Sequence, residues 1–396
     1  MNHLAILGST GSIGRQCLSV VEESLPDQFV VCGLAAGSNL DELVKQIERH
    51  RPNVVSVATA QKADELAERL RARKVAPLPS VHHGREGILT IATLARAEIV
   101  VSAAVGIVGL EATYEAVKLG KTVALSNKEV LVAAGELVMA AAKKAGRELL
   151  PVDSEHNAVH QCLRGGKATE VRRVVLTASG GPFRKTRLSS FDSITPEQAL
   201  AHPNWRMGNR ITIDSATMMN KGFEIIEARW LFGMRPDQID VVIHPQSTVH
   251  SFVEFIDGSV LAQLGPTDMR MPIQYALTYP ERLASNQIAL DWKKLKRLDF
   301  TSASTRRFPC LRLAREAMKK GGALPCALNA ADEIAVAAFL DRRLSFPGIA
   351  EVIESVLACT PSMKFENMSD VLAADAEARR MAKEEVARLA VAAVAS

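Results

Sequence analysis

The 396-residue chain has no strong excess of one charge: 48 Lys and Arg stand against 44 Asp and Glu, a formal net charge of +4. That small bias is spread along the sequence, which argues against the concentrated basic face of a dedicated nucleic-acid binder and leaves room for a local cationic pocket. No two of the six cysteines (Cys17, Cys32, Cys162, Cys310, Cys326, Cys359) form a CxxC pair. The usual zinc and dithiol redox motifs are therefore missing, and reduced thiols in a cytoplasmic protein are expected. No apolar run reaches the roughly 18 residues of a membrane span; Val130 to Ala142 comes nearest and is broken by Gly135 and Glu136. No basic region followed by an apolar stretch opens the sequence, so no secretory signal is expected. Internal repeats and low-complexity tracts are also missing.

What is present is globular: hydrophobic residues make up 47% and charged residues 23%, the balance of a chain that buries a core. At about 150 residues per domain, two or three domains are expected. In residues 1–150, short apolar runs (Leu4–Leu7, Phe29–Leu34, Val54–Ala58, Ile99–Ala103, Val123–Leu125) alternate with helical stretches such as Arg15–Ser24, Ala63–Arg73 and Leu110–Leu119. That rhythm predicts a Rossmann-like doubly wound α/β domain with a parallel sheet. Residues 151–285 read as a central α+β domain: a strand leads into VDSEHNA, Val171–Thr177 forms a second, and His244 to Leu264 reads as a hairpin turning at Asp257-Gly258. Residues 286–311 read as a linker. Residues 312–396 read as a helical bundle, its helices covering Cys310–Lys319, Ala327–Leu340, Gly348–Leu357 and Asp370 to the end.

The first strand ends in Gly8-Ser9-Thr10-Gly11-Ser12-Ile13-Gly14. Glycines here permit a tight turn and a close approach of backbone N–H groups to a pyrophosphate at a helix N-terminus. The spacing is GxxGxxG, so the string alone has moderate specificity, but its place in the first βα turn favours a dinucleotide. After the second strand, an NAD enzyme usually carries Asp or Glu for the ribose 2′-hydroxyl. This chain has Ala36-Gly37-Ser38-Asn39 instead, which favours NADP, although no Arg or Lys stands in the turn. Asn127-Lys128-Glu129 follows another strand, at the carboxyl edge where α/β ligands bind; Lys128 suits proton transfer or a substrate hydroxyl, or else merely starts a helix.

Asp153 and Glu155 lie two apart in what reads as an extended segment, where alternate side chains share a face. Two carboxylates side by side call for a cation, and oxygen donors suit Mg2+ or Mn2+; a solvated acidic strand end is the alternative, and these two residues alone leave it open. In ITIDSATMMNKGFEIIEARWLF, Ser215 to Phe232 reads as one helix with Asp214 or Ser215 as N-cap. Asn220, Lys221 and Glu224 then fall within one turn, able to bind a phosphate and complete a metal site; a surface Lys–Glu pair is the alternative. Thr177-Ala178-Ser179-Gly180-Gly181 ends a strand with room for an anion. His202, Pro203, Asn204 and Trp205 sit in a non-periodic loop that suits a lid, although a lone loop Trp is more often simply packed.

Taken in order, GSTGSIG, SNKE, VDSEHNA, ASGGPF, HPNWRMG, DSATMMNKGFE, IHPQSTVHSFVE and NAADEIAV resemble the 1-deoxy-D-xylulose 5-phosphate reductoisomerase family of the non-mevalonate isoprenoid pathway. The resemblance implies an NADPH domain, a central catalytic domain carrying the dimer contact, and a C-terminal helical bundle. It implies conversion of 1-deoxy-D-xylulose 5-phosphate to 2-C-methyl-D-erythritol 4-phosphate by a homodimer using NADPH and Mg2+ or Mn2+, with Co2+ as a further candidate. It implies metal ligands Asp153, Glu155 and Glu224. Ser179, His202, Ser215, Asn220 and Lys221 would hold the phosphate end or the loop over it, Lys128 and Ser154 the substrate backbone, and Trp205 with Met207 the lid. Thr10, Gly11, Ser12, Ile13, Gly37, Ser38, Asn39, Asn127, Glu129 and Gly208 would contact NADPH, with His156 and His250 in support. Family members often carry a basic residue where Ser38 stands, which weakens the 2′-phosphate reading.

Overall fold

A computed structural model describes residues 1–205, 207–286 and 289–395, with side chains through residue 390. In chain order it runs β1 (Asn2–Leu7), α1 (Ser12–Glu23), β2 (Phe29–Ala35), α2 (Leu40–His50), β3 (Val54–Val57), α3 (Ala60–Ala72), β4 (Ser80–His83), α4 (Gly84–Thr93), β5 (Ile99–Ser102), α5 (Leu110–Lys118), β6 (Thr122–Leu125), α6 (Glu129–Ala145), β7 (Leu149–Pro151) and α7 (Ser154–Leu163). There follow β8 (Val171–Ala178), α8 (Pro196–Leu200), α9 (Asn209–Thr217), α10 (Met219–Phe232), β9 (Ile239–Ile243), β10 (Val249–Phe255), β11 (Val260–Leu264), α11 (Arg270–Thr278), β12 (Thr301–Ser302), α12 (Pro309–Lys320), α13 (Leu324–Leu340), α14 (Phe346–Cys359) and α15 (Met368–Ala395).

The chain divides into two compact units. The first comprises the described residues of 1–130, 138–157 and 268–288. Its seven-stranded sheet has the order β4-β3-β2-β1-β5-β6-β7, and every pair is parallel. Leu4, Ile6, Leu34, Val55 and Val101 of the strands pack with Leu43, Ile47, Leu66 and Leu70 of the helices in one core. Helices joining parallel strands make the doubly wound pattern expected from the sequence. One strand exceeds the reading: β4 (SVHH) is half exposed and carries no apolar run. β7, the strand read as leading into VDSEHNA in the central domain, pairs with β6 at the edge of this first sheet instead. α11 returns from later in the chain to pack on α1, and its Ile273, Ala276 and Leu277 join this core.

The second unit comprises the described residues of 131–137, 158–267 and 289–396. Its five-stranded sheet is mixed, in the order β11-β10-β8-β9-β12. β10 and β11 form the expected hairpin, with Gly258 at φ +87° in the turn, a conformation only glycine adopts without strain. One core runs from the sheet (Val174, Leu176, Val253) through α10 (Phe223, Ile225, Ile226) to the C-terminal helices (Leu328, Phe339, Ile349, Ile353), so the bundle and the central sheet are packed as one body. β12 lies inside the stretch read as a linker and pairs with β9.

Two local expectations are corrected. The stretch 215–232 is not one helix: α9 ends at Met218, whose φ of +65° is left-handed, and α10 starts immediately after. The N-cap of α9 is Gly208, not Asp214 or Ser215. Asp153 and Glu155 do not alternate along a strand. The strand ends at Pro151, and Asp153 caps α7: its carbonyl accepts from Asn157 N at 2.8 Å and its Oδ1 from Glu155 N at 3.2 Å.

Candidate functional site

In the first unit the glycine loop has the form that a pyrophosphate requires. Gly8 sits at φ +88°, and a Cβ there would lie 2.5 Å from Ala103 O. A Cβ on Gly14 would overlap the Gly8 carbonyl and the Ser9 backbone. The loop therefore folds on itself, Gly11 N donating to Gly8 O at 3.1 Å, and no side chain caps the N-terminus of α1 at Gly11. The first-turn N–H groups of α1 lack a capping side chain, which is what an anion at a helix N-terminus uses. Ser12 is exposed, and Thr10 and Ile13 are half-buried.

At the end of β2, Gly37 has open space around its α-carbon, and Ser38 and Asn39 are exposed. Asn39 Oδ1 is used to cap α2, accepting from Glu42 N at 3.2 Å. The nearest following carboxylate, Asp41, is paired with Arg69 at 2.6 Å, so it does not stand as the ribose-binding acid of an NAD site. Asn127 Nδ2 donates to Ala104 O and Gly106 O, bracing the turn after β5, while its Oδ1 is buried without a hydrogen-bond partner among the described residues.

Beside that turn, Lys128 stands at the N-cap of α6 and Glu129 begins the helix. Lys128 Nζ lies 2.6 Å from Asp153 Oδ2. His156, fully buried, brings Nδ1 to 3.4 Å from Asp153 Oδ1. Ser154 Oγ donates to Glu155 Oε2 at 2.5 Å. Asp153 at the N-cap and Glu155 in the first turn also suit the positive end of the α7 dipole. Two carboxylates and one lysine are thus gathered at one helix start, a donor set of hard oxygens that fits Mg2+ or Mn2+.

In the second unit the turn after β8 closes on α9. Gly180 and Gly181 are left-handed at φ +78° and +63°, and a Cβ on Gly181 would lie 2.7 Å from Ser215 O. This close approach sets Ser179 near the backbone of Ser215. His202 organises the loop that follows. Its Nδ1 accepts from Asn204 N at 3.2 Å and from Trp205 N at 3.0 Å, so the ring proton sits on Nε2, 3.0 Å from Ser179 Oγ. Burial pushes the imidazole below its ordinary pKa, which keeps it in that neutral tautomer. Ser179 Oγ also accepts from Gly181 N at 3.2 Å. With two donors already on its oxygen, the hydroxyl proton of Ser179 is free to point to a further acceptor, as a phosphate oxygen would be. Trp205 lies 6.5 Å from the His250 ring, centroid to centroid, and Met207 and Trp205 are half-buried. Gly208, expected near the cofactor, belongs to this unit.

One turn into α10, Asn220 Nδ2 donates to Glu224 Oε1 at 2.6 Å, and Lys221 Nζ donates to Glu224 Oε2. Glu224 is fully buried and Lys221 almost so. A buried carboxylate demands a cation; the helix supplies one at i−3, and the side chain has the charge and the hard oxygens to accept a divalent ion.

The chain is similar to proteins of one kind along nearly its whole length. Residues 4–135 match the family model of 1-deoxy-D-xylulose 5-phosphate reductoisomerase, 149–232 that of its C-terminal domain, and 264–381 that of a further DXP reductoisomerase C-terminal domain. The chain belongs to the 1-deoxy-D-xylulose 5-phosphate reductoisomerase family. It is 50% identical to the reductoisomerase of Solibacter usitatus over 386 residues, 97% of each chain, and 51% identical to that of Chlorobium chlorochromatii over 383 residues, 97% of this chain and 99% of the relative. The structure of the Zymomonas mobilis family member in complex with NADPH superposes with a TM-score of 0.90 at 42% identity, covering 97% of this chain and 99% of the other. A family structure in complex with NADPH, fosmidomycin and magnesium gives 0.92 at 38% identity, covering 98% and 99%.

Within each unit the structure brings the expected residues together: Lys128, Asp153, Ser154 and Glu155 in the first, and Ser179, His202 and Ser215, then Asn220, Lys221 and Glu224, in the second. The sequence reading did not single out Arg210, whose partners Asp332 and Glu333 lie more than a hundred residues away, with Asp214 a further one four residues on.

Proposed function

We propose that the chain converts 1-deoxy-D-xylulose 5-phosphate to 2-C-methyl-D-erythritol 4-phosphate with NADPH and a divalent metal ion, Mg2+ or Mn2+, in the non-mevalonate route to isoprenoids. The single observation that carries this reading is the 50% identity to a reductoisomerase across 97% of both chains. The N-terminal part, residues 1–150, would bind NADPH through Thr10, Gly11, Ser12, Ile13, Gly37, Ser38, Asn39, Asn127 and Glu129, with Gly208 from the second unit.

Asp153, Glu155 and Glu224 would hold the metal, supported by their hard oxygen donors. Bound there, the ion supplies Lewis acidity toward the sugar's carbonyl and adjacent hydroxyl, and NADPH supplies the hydride. Lys128 is the candidate to hold or move a proton at a substrate hydroxyl. Ser154 would orient the sugar backbone. Ser179, Ser215, Asn220 and Lys221 would hold the phosphate, a handle remote from the reacting carbons. His202 keeps Ser179 oriented, and Trp205 with Met207 would exclude water over the substrate.

The experiment is an assay of NADPH oxidation with purified protein. Oxidation is expected only when the deoxyxylulose phosphate and Mg2+ or Mn2+ are both present, with 2-C-methyl-D-erythritol 4-phosphate as product. A plain NADP-dependent dehydrogenase would turn over in excess chelator, and a dinucleotide sensor would bind NADPH without turnover; either result refutes the reading.

A homodimer is part of the proposal. β11 is an edge strand of its sheet, with Val260 53% and Leu261 40% exposed. An apolar, unpaired strand edge is a template for pairing with a second copy. Light scattering should give twice the chain mass, and Leu261→Lys should shift it toward the monomer. A cytoplasmic location is part of the proposal, supported by the burial of five of the six cysteines, and cell fractionation tests it. No helix among the described residues is long and apolar enough to cross a membrane.

A further inference from the structure

Arg210 is the second residue of α9, two beyond Gly208, where the loop carrying His202 and Trp205 ends. Its guanidinium is shared among three acceptors on α13. Nη1 donates to Glu333 Oε1 at 3.0 Å, and Nη2 donates to Asn329 Oδ1 at 2.8 Å and approaches Asp332 Oδ2 at 3.4 Å. Its Nε lies 3.7 Å from Asp214 Oδ2 on its own helix, and its carbon stands 5.8 Å over the ring of Phe223 on α10. The chain of contacts continues outward: Arg379 of α15 donates from Nη2 to Glu333 Oε2 at 2.7 Å and from Nε to Asp375 Oδ2 at 2.6 Å. Asn329 and Asp332 are fully buried.

Buried ionic groups of this kind stabilise a fold no better than apolar packing of the same volume, and often less. What such a network supplies is one fixed arrangement of the elements it joins. α9 needs that help. It starts at a glycine with no capping side chain and ends after nine residues at the left-handed Met218. Its own ends therefore do little to fix where Ser215 points or how α10 continues with Asn220 and Lys221. Burial also raises the Asp332 carboxyl to about 6 against the lowering effect of Arg210, so the site keeps an acid where burial disfavours its charge.

We propose that Arg210 is a positioning residue: by clamping α9 to α13, and through Glu333 to α15, it fixes the lid's C-terminal anchor and the phosphate-holding residues Ser215, Asn220 and Lys221. This rests on the substrate reading given above. It assigns the C-terminal helices a positioning part in substrate binding.

The test is steady-state kinetics of wild type, Arg210→Met, Arg210→Lys and Glu333→Gln, with thermal melting of each. An inactive wild type would refute the substrate reading rather than this inference. With an active wild type, folded Arg210→Met should raise KM for the deoxyxylulose phosphate by about tenfold or more, the scale of one lost charge-assisted hydrogen bond. Glu333→Gln should move KM in the same direction, Arg210→Lys should recover part of it, and NADPH affinity should stay near wild type. A merely structural role would lower the melting temperature and leave KM unchanged. KM within about threefold of wild type in folded Arg210→Met and Glu333→Gln overturns the proposal; if Arg210→Met does not fold, Glu333→Gln decides by the same criterion.

Discussion

Lys128 Nζ lies 2.6 Å from Asp153 Oδ2, and both side chains are almost closed to solvent. A pair this buried holds its two charges by mutual neutralisation, and removing one partner strands the other. Lys128→Met is therefore expected to lower turnover on the order of 10²-fold, the scale of losing a positioned proton-transfer group, with NADPH still bound. Stopped-flow reduction and NADPH titration separate the two. Turnover near wild type would remove Lys128 from the proposed chemistry.

The cofactor loop makes a sharper structural prediction. Gly8→Ala forces an L residue to φ +88° and places its Cβ 2.5 Å from Ala103 O. The strain of such a conformation is about 1–3 kcal/mol, and the clash adds to it, so both thermal stability and NADPH affinity should fall. Gly37→Ala meets nothing within 4 Å and should fold normally. Calorimetric melting of the two variants checks the contrast.

Gly135 is the corresponding position in the second unit. A Cβ there would overlap the Trp230 indole, at the point where Ala134 departs from helical geometry with φ −136°. Gly135→Ala should destabilise the protein by roughly 1–3 kcal/mol, as overpacking does. A denaturation midpoint unchanged from wild type would mean that the ring moves aside without cost.

How much of this was legible in the sequence depends on the range of the interaction. β1, β2, β3, β5 and β6 announced themselves as apolar runs because a parallel strand covered on both faces has little choice of composition. β4 escaped because SVHH is half exposed, and β7 was read as a strand but given to the central domain, because three residues carry no sign of which sheet they join. The break at Met218 lacks the glycine that usually marks a left-handed residue, so two helices read as one. Asp153 and Glu155 were found as candidates by a strand argument that does not hold; they share a site because Asp153 caps α7 and Glu155 lies in its first turn. The Arg210 clamp was illegible because Arg210, Glu333 and Arg379 meet only in the folded chain.

Acid should weaken the first unit through His50. Its Nε2 lies 2.8 Å from Glu22 Oε1, yet burial, aided by Arg49, lowers the imidazole to about 4 from 6.5, and burial raises the Glu22 carboxyl. Glu22 also takes Arg49 Nε at 2.5 Å, so the neutral imidazole donates to a carboxylate that Arg49 already balances. Between pH 6.5 and about 4 the unfolded chain binds the His50 proton and the folded one does not, so this contribution is complete above pH 6.5 and is lost as pH falls toward 4. The rise of the Glu22 pKa acts in the opposite sense. Urea unfolding from pH 7 to 4.5 should show a slope that His50→Gln flattens; an unchanged slope contradicts the assignment.

Asp153, Glu155 and Glu224 are proposed to hold one divalent ion for the reaction. Electron paramagnetic resonance of Mn2+ titrated into the NADPH-bound protein with the sugar phosphate tests it most directly, comparing wild type with Asp153→Asn and Glu224→Gln. The account predicts one tightly held ion per wild-type chain, loss of that ion in both variants, and near-complete loss of turnover with NADPH affinity retained. Full metal occupancy and undiminished turnover in Glu224→Gln would contradict it.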